Sequence, residues 1–437
     1  MKHIFFLLFI FFCIKSFSQI DSKLYINTLK KATDIMVNDV TSPVAAARYY
    51  AYICLGAHEM LHLFPNDNNQ SFSTHLINYP KIILADSLFI NTDKNLSLVL
   101  CLTYMTIHLL PSGYLMTTWI DSLENKYLSL GGSQSHFLAT ETLVKQFILQ
   151  FNKYIQQDGF KKLSANKKYT PLAGKQYWQP TGPGFLAAIE PNWQNLRPFF
   201  LESLKYFKIQ PPIKYSESKQ SSFYKLTEEV FQTVNKNDSN LNFIADFWDC
   251  NPYKLYQLGH VEFGLKKISP AGHWMGITGI LSLQNNLNLY NVSNIHSLVA
   301  MALSDAFIVC WKEKYSSNRL RPEQAIRNLF DPTWKPYLQS PPFPEYVSGH
   351  SVISNTAAEI LTIYFGDNIE FVDNTELEFN IPLRKFSSFK SAAAEASRSR
   401  LYGGIHFRDA VEQGAKLGID IGNYIINKTK LKKNEND

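Results

Sequence analysis

The sequence predicts an all-α protein in which a long crossover, rich in proline and aromatic residues, joins two helical bundles. Apolar residues recur at intervals of three and four through most of the 437 residues, as a helix with one buried face requires. Alternation with a period of two, which is typical of half-buried strands, is scarce. The hydrophobic content of 45% and the aromatic content of 14% are ample for a folded core.

Residues 1–18 predict a cleaved secretory signal peptide. An early basic residue and an apolar run precede the small-residue pattern Ser16-Phe17-Ser18. Cys13 follows two phenylalanines, whereas small residues precede a lipidated cysteine. No later apolar run approaches the length that spans a bilayer. We therefore expect an exported protein, periplasmic or extracellular, without a membrane span.

Residues 19–157 predict an N-terminal bundle of about five helices. Ser42 followed by Pro43 is a typical helix start. The segments with helical periodicity are, in order, DSKLYINTLKKATDIMV, PVAAARYYAYICLGAHEML, NLSLVLCLTYMTIHLL, WIDSLENKYLSL and HFLATETLVKQFILQFNKYI.

Residues 158–218 predict an ordered, irregular crossover. Its central stretch, YTPLAGKQYWQPTGPGFLAAIEPNWQNLRPFF, is too aromatic for a flexible linker. The helical pattern resumes at 219 and continues to 428, which predicts a C-terminal helical domain. A charged tail at 429–437 closes the chain.

Composition excludes some function classes. The formal charge of +6 falls to +4 when Lys2 and Lys15 leave with the signal peptide, which is too small a surplus to indicate nucleic-acid binding. The remaining cysteines are far apart and form no C-x-x-C, so one or two disulfides are open but neither a disulfide framework nor a thiolate zinc site is indicated. These cysteines are Cys54, Cys101, Cys250 and Cys310.

Residues 58–62 read HEMLH, which matches the signature of zinc proteases. After His62 the chain runs LFPNDNNQSF, which lacks both the glycine and third histidine of one protease subclass and the acidic helix of the other. We therefore predict that His58 and His62 only share a face of an amphipathic helix, without zinc. For His273, in SPAGHWMGI, we predict a structural, hydrogen-bonding role.

Three stretches of the C-terminal region combine into a predicted oxyanion site: KEKYSSNRLRP, PPFPEYVSGHSVISNTAAEIL and SRSRLYGGIHFRDAVEQG. Lysine and arginine supply positive charge, a serine hydroxyl and a glycine amide at a helix start bind anions, and two histidines can coordinate a central atom or move protons. The candidate residues are Lys314, Arg321, Ser348, Gly349, His350, Arg400 and His406.

The pattern K-x6-R-P, then SGH, then S-R-x5-H resembles the superfamily of type 2 phosphatidic acid phosphatases and vanadium-dependent haloperoxidases. Val347 stands where this superfamily usually has proline. Asp409 lies three residues beyond the last histidine, where an acid four beyond is common, and we expect it to support His406 from the same helix face. The stretches SPVAAARYYAYICLGAHEM, YWQPTGPGFLAAIEPNW and FWDCN…SPAGHWMGI are similar to the soluble bacterial haloperoxidase-like branch.

The resemblance implies a haloperoxidase that uses hydrogen peroxide to oxidise a halide to a hypohalous species with vanadate as cofactor. It implies that His406 is the covalent vanadate ligand and that His350 is the acid–base residue. The equatorial oxygens are then held by Lys314, Arg321, Ser348, Gly349 and Arg400.

The alternative is a secreted acid phosphatase that acts on a phosphate monoester. His406 would then form a phosphohistidine, and phosphate would occupy the pocket when vanadate is absent. A helical scaffold protein with a degenerate site is a third hypothesis, which the intact residue set disfavours. Trp311, Phe343 and Tyr346 are candidates for the halide pocket by proximity.

Overall fold

The structure is a computed structural model that describes residues 20–65, 70–182, 184–252, 255–258, 261–264 and 266–432. The predicted signal peptide and the last five residues of the predicted tail lie outside these residues. Helices make up 61% of the structure and strands 2%, which confirms the all-α fold class.

The N-terminal bundle has the five helices that the periodicity predicts. Ser42 caps the second of them, as predicted, because its side chain accepts a hydrogen bond from the backbone N–H of Ala45 and Pro43 is the first helical residue. The helices are α1 (Ser22–Asn38), α2 (Pro43–Leu61), α3 (Lys94–Leu109), α4 (Thr117–Ser129) and α5 (Gln134–Gln156). Every residue of α2 is buried, so α2 is the central helix of this bundle.

The crossover contains short 3-10 turns but no α-helix or strand in its described residues. Buried Trp178 and Trp193 anchor it to the helices, which accounts for its aromatic composition. Its backbone N–H groups at Phe199, Phe200 and Leu201 donate to the carboxylate of Asp305 at 2.7, 2.8 and 3.3 Å. The crossover is thus an ordered strap that hydrogen bonds fix to a buried helix.

The C-terminal region is also mainly helical. Its helices are α6 (Ser222–Asn235), α7 (Ser239–Phe247), α8 (Pro270–Gln284), α9 (Leu289–Ser317), α10 (Pro322–Leu329), α11 (Gly349–Phe365), α12 (Phe389–Tyr402) and α13 (Arg408–Thr429). Two antiparallel hairpins, which the sequence did not reveal, pair β1 (Leu255–Leu258) with β2 (Val261–Gly264) and β3 (Phe371–Asp373) with β4 (Arg384–Phe386). Strands of three or four residues are too short for alternation to be recognised.

The 29-residue helix α9 lies between the two bundles. It packs against α2 on one side and against α8 and α11 on the other, so one continuous hydrophobic core spans both bundles. By length and composition α9 could cross a membrane, and the expectation that no run after the leader approaches that length is wrong. Its apolar window is 94% buried by the protein, which is the environment of a core helix.

Two glycines of α13 allow its close approach to α11. A Cβ atom added at Gly414 would lie 2.9 Å from the carbonyl oxygen of Ser348, and one at Gly418 would lie 2.3 Å from that of Val352. The Ser348 N–H also donates to the carbonyl oxygen of Ala410 at 3.1 Å. This contact fixes the start of α11, where the SGH motif lies, against the start of α13.

Candidate active site

The SGH motif opens α11 as predicted. Ser348 is the N-cap, and its hydroxyl accepts a hydrogen bond from the Ser351 N–H at 3.3 Å. Among the described residues this hydroxyl donates to no other group, so its hydrogen is available to an anion. Around Gly349, an added Cβ would meet nothing closer than Trp311 at 4.0 Å. The N-terminus of α11 therefore presents donors to an open space.

His406 lies in the turn between α12 and α13. The expectation that it belongs to the same helix as Asp409 is wrong, because α13 begins two residues later at Arg408. Instead, the backbone N–H groups of Ile405 and His406 donate to the carbonyl oxygen of Arg400 at 3.1 and 3.3 Å. This turn places His406 beside Arg400, which lies in the last turn of α12.

A glutamate that the sequence analysis missed orients His406. The Glu345 carboxylate accepts hydrogen bonds from Nδ1 of His406 at 2.8 Å and from the Phe407 N–H at 3.0 Å. Its other oxygen accepts from Nε of Arg319 at 2.7 Å. Since Nδ1 carries the donated hydrogen, the lone pair of the ring is on Nε2, where Nη1 of Arg321 approaches it at 3.4 Å.

The prediction that Asp409 supports His406 by direct contact is wrong. Asp409 does not contact His406; it accepts two hydrogen bonds from the Arg319 guanidinium, at 2.6 and 2.8 Å. Arg319 in turn holds Glu345, so Asp409 acts on His406 only through two intermediate residues. The cause is the position of His406 outside α13, which removes the shared helix face.

Three side chains of this site have a buried nitrogen atom without a hydrogen-bond partner among the described residues. They are Nη2 of Arg321, Nε of Arg400 and Nε2 of His350. Other nitrogens hold the two arginines in place, because Arg321 donates from Nε and Nη1 to the carbonyl oxygens of Phe343 and Ile405, and Arg400 donates from Nη1 to that of Trp248. Rigidly held cations with spare donors are what an oxyanion pocket needs.

Lys314 supports the pocket in a different way from the one predicted. Its ammonium group donates to the carbonyl oxygens of Pro344, Glu345 and Val347, at 3.2, 3.0 and 2.5 Å. An ammonium group has three donors, so all three are used within the protein. Lys314 therefore fixes the loop before Ser348 and contributes its charge, but in this state it offers no free donor to an anion.

Burial and mutual repulsion of the cations set the protonation states. Burial lowers the pKa of His406 well below 6.5, and Arg321 and Lys314 lower it further, so the imidazole is neutral at neutral pH. Burial likewise lowers the pKa of His350, and Arg400 adds to the effect. Burial lowers the pKa of Lys314 to about 7 and that of Arg321 to about 9. An anion in the pocket would relieve this repulsion.

The cavity of this site combines polar residues of the motifs with aromatic walls. Gly349, His350, Arg400 and His406 line it together with several neighbours from other segments. These neighbours are Pro43, Cys250, Asn251, Pro270, Phe307, Trp311, Pro341, Phe343 and Ile405. Of the residues suggested for a halide pocket, Trp311 and Phe343 line the cavity. Tyr346 does not, because its hydroxyl donates to the backbone oxygen of Gln210.

The HEMLH motif lies far along the chain from this site and has a different organisation. α2 ends at Leu61, and the Glu59 carboxylate accepts hydrogen bonds from the Ser71 hydroxyl at 2.6 Å and the Phe72 N–H at 2.8 Å. His58 contacts Ser293 at 3.0 Å, and its Nε2 lies 3.2 Å from that of His62. Both oxygens of Glu59 are thus used to hold the loop at Ser71 and Phe72.

The sequence contained a weak signal for Glu345 and Arg319. Both lie inside the quoted stretches, three residues before Ser348 and two before Arg321. Charged residues are usually exposed, and only the structure shows that both side chains are buried and paired. A buried carboxylate can be recognised only after its partners are located.

Comparisons with known proteins agree with this geometry. A family model described as "VCPO second helical-bundle domain" matches residues 330–434. A comparison with curated proteins gave no match. Among solved structures, the chain is similar to one described as the first bacterial vanadium-dependent iodoperoxidase. The two are 37% identical with a TM-score of 0.87, over 94% of this chain and 97% of that one.

Two further structures, the holo and apo forms of a bacterial vanadium-dependent chloroperoxidase, are each 15% identical to this chain. Both have a TM-score of 0.66 and cover 90% of it, and the chain covers 92% and 94% of theirs. At this identity the likeness concerns the fold. The similarity to the iodoperoxidase, which extends over nearly the whole of both chains, shows that the protein belongs to the vanadium-dependent haloperoxidase family.

Proposed function

We propose that this protein oxidises halides with hydrogen peroxide, using vanadate bound in the pocket around His406. The observation that supports this proposal most strongly is the neutral His406 ring. Its Nδ1–H donates to Glu345, and its Nε2 lone pair lies among cations. The overall reaction consumes hydrogen peroxide, halide and a proton, and it produces hypohalous acid and water. Family membership supports this proposal.

The residues of the pocket fit an oxyanion of this kind. Spare donors on Arg321 and Arg400 and an open amide at Gly349 provide contacts for several oxygens. The positive charge of Lys314 and both arginines balances a multiply charged anion. Nε2 of His406, which lies 3.4 Å from Nη1 of Arg321, would be the protein ligand of vanadium. Phosphate has the same shape and charge type and would occupy the same contacts.

Vanadate, when bound, supplies the Lewis acidity that activates peroxide for oxygen transfer to the halide. Glu345 keeps His406 in the tautomer whose Nε2 can act as a ligand. Arg321 and Arg400 stabilise the negative charge that develops on the oxygens during the reaction. Because backbone carbonyls fix both side chains, they need no reorganisation. His350 is neutral, so its buried Nε2 can accept a proton from the incoming peroxide and return it to the departing water.

We propose iodide as the preferred halide. The similar solved structure at 37% identity is described as an iodoperoxidase, and iodide is the most easily oxidised of the three common halides. The aromatic walls at Trp311 and Phe343 offer a polarisable surface beside the pocket. This assignment concerns preference and leaves the roles of the histidines unchanged.

A halide-oxidation assay with and without orthovanadate tests the proposal. The protein is freed of bound anion and assayed with peroxide and iodide, bromide or chloride, and hydrolysis of para-nitrophenyl phosphate is measured on the same sample. We expect oxidation that depends on vanadate, is fastest with iodide and is inhibited by phosphate. Phosphate-ester hydrolysis without vanadate-dependent halide oxidation would contradict it and support the phosphatase alternative.

We also propose that the protein is exported through cleavage after residue 18. The sequence pattern of residues 1–18 supports this proposal. Fractionation of cells that express the full chain, with N-terminal sequencing of the mature protein, tests it. Intact leader on a cytoplasmic protein would contradict it.

A further inference from the structure

A second cluster of buried polar side chains lies beside the active-site cavity. Cys250 follows α7, His273 lies in the first turn of α8, and Glu376 follows β3. All three are at most 2% exposed, and the sulfur, one imidazole nitrogen and a carboxylate oxygen lie within 4.8 Å of one another. We propose that Cys250, His273 and Glu376 bind a zinc ion that stabilises the wall of the active-site cavity.

The orientation of His273 is the first support. Its Nε2 lies 2.7 Å from the Asp373 carboxylate, which the backbone and hydroxyl of Thr375 hold in place. With the Nε2–H donated to Asp373, the Nδ1 lone pair faces Cys250 and Glu376. A metal-binding histidine usually donates its other ring N–H to a carboxylate in this way.

The distances are the second support. Nδ1 of His273 lies 3.6 Å from Sγ of Cys250 and 3.3 Å from Oε1 of Glu376. Zinc bond lengths in a tetrahedral site place a sulfur and a nitrogen ligand roughly 3.6 Å apart, and a nitrogen and an oxygen ligand roughly 3.3 Å apart. Two of the three pairs therefore already have the spacing of zinc ligands, and the sulfur and the carboxylate oxygen lie within 4.8 Å of each other. The second oxygen of Glu376 or a water can supply the fourth position.

The state of Glu376 is the third support. Neither of its carboxylate oxygens accepts a hydrogen bond within the described part of the chain, although the residue is 1% exposed. A buried carboxylate without hydrogen bonds is costly unless a cation lies nearby, and Nδ1 of His273 lies 3.3 Å from Oε1 of Glu376.

Donor chemistry selects the metal. Thiolate and imidazole are preferred by zinc, whereas calcium and magnesium take oxygen ligands. Zinc displaces the proton from a thiol and from an imidazolium, so binding releases protons and neutralises the excess negative charge. The three ligands come from distant segments, which is why spacing rules for zinc motifs do not reveal them.

The position of the cluster connects the proposed zinc ion to the active-site cavity. Cys250 and its neighbour Asn251 line the active-site cavity, and the Trp248 ring stacks on His273 with centroids 4.6 Å apart. The carbonyl oxygen of Trp248 accepts the hydrogen bond that holds Arg400. An ion at Cys250 would thus fix the loop that positions Arg400. The proposal stands on these contacts and is independent of which reaction the pocket catalyses.

Metal analysis of the purified protein tests the proposal. We expect about one zinc per chain, retained after dialysis and lost in the variants Cys250→Ser and Glu376→Gln. Cys101→Ser, at a buried cysteine of α3 outside the cluster, is the matched control and should keep the metal. A native protein that contains no zinc and takes up none on incubation with zinc would overturn the proposal, as would variants that bind as much as the native chain.

Cobalt substitution of the native protein provides a measurement that does not depend on the folding of a variant. Thiolate coordination should give a sulfur-to-cobalt charge-transfer band in the near ultraviolet in the native protein and in Cys101→Ser. A native protein that binds cobalt without this band, or binds none, would overturn the role of Cys250.

Discussion

The protein contains two histidine–glutamate arrangements that differ in what the glutamate holds. In the HEMLH segment, the Glu59 carboxylate accepts hydrogen bonds from Ser71 and Phe72, so it fixes a loop. Beside the active-site cavity, the buried Glu345 carboxylate accepts hydrogen bonds from Nδ1 of His406 and from Arg319. The glutamate of the better sequence motif therefore holds a loop, and the less conspicuous glutamate orients His406, the histidine that we propose as the vanadate ligand. The comparison teaches that partners, more than spacing, decide what a histidine can do.

Replacing one histidine of each arrangement should give the largest difference. His406→Ala removes Nε2, the only ligand atom that we assign to vanadium, so we expect loss of vanadate retention and of halide oxidation. His62→Ala is the matched control and should retain both. Vanadium content after gel filtration and peroxidase assays measure the effect. Stoichiometric vanadium in His406→Ala would contradict the role of His406 as the vanadium ligand.

Replacing the two glutamates should give a smaller difference in vanadate binding than replacing the two histidines. Glu345→Gln keeps the size of the side chain but weakens the hydrogen bond that orients His406, so we expect vanadate affinity to fall about 10–100-fold. Glu59→Gln should leave the affinity unchanged, because the hydrogen bonds of Glu59 within the described residues are to Ser71 and Phe72, outside the pocket around His406. Vanadate titrations of both variants, with circular dichroism to verify folding, measure this. Equal affinity in the two variants would contradict the role of Glu345.

A pH titration should show the smallest effect. Burial lowers the pKa of Lys314 to about 7, so its positive charge is lost as pH rises through that value. A bound anion favours the charged lysine, hence anion affinity should be highest below pH 7 and fall above it by at most about tenfold per pH unit. Tungstate is a suitable probe because it remains a dianion over this range. In Lys314→Met the affinity should not decrease above pH 7. An unchanged decrease in this variant would show that another group causes it.

The sequence predicted the parts of the molecule that depend on local patterns. The five N-terminal helices follow from apolar periodicity, and the SGH motif opens a helix because Ser348 is a favourable cap. The cluster of motif residues follows from the family resemblance, and the structure places Gly349, His350, Arg400 and His406 around one cavity.

Features that depend on long-range contacts could not be predicted in this way. Glu345 and Arg319 look like surface charges until the fold buries them against His406 and Asp409. The donors of Lys314 are used by carbonyls of a loop thirty residues later, which no spacing rule contains. α9 has the apolar length of a membrane helix, and only its packing between the bundles identifies it as a core helix.

A crystal structure of the protein with orthovanadate tests the central claim most directly. We predict vanadium bonded to Nε2 of His406, with Nδ1 still donating to Glu345 and with Arg321 and Arg400 in contact with its oxygens. Vanadium bonded to His350, or bound between His58 and His62 while the pocket around His406 stays without it, would contradict the assignment.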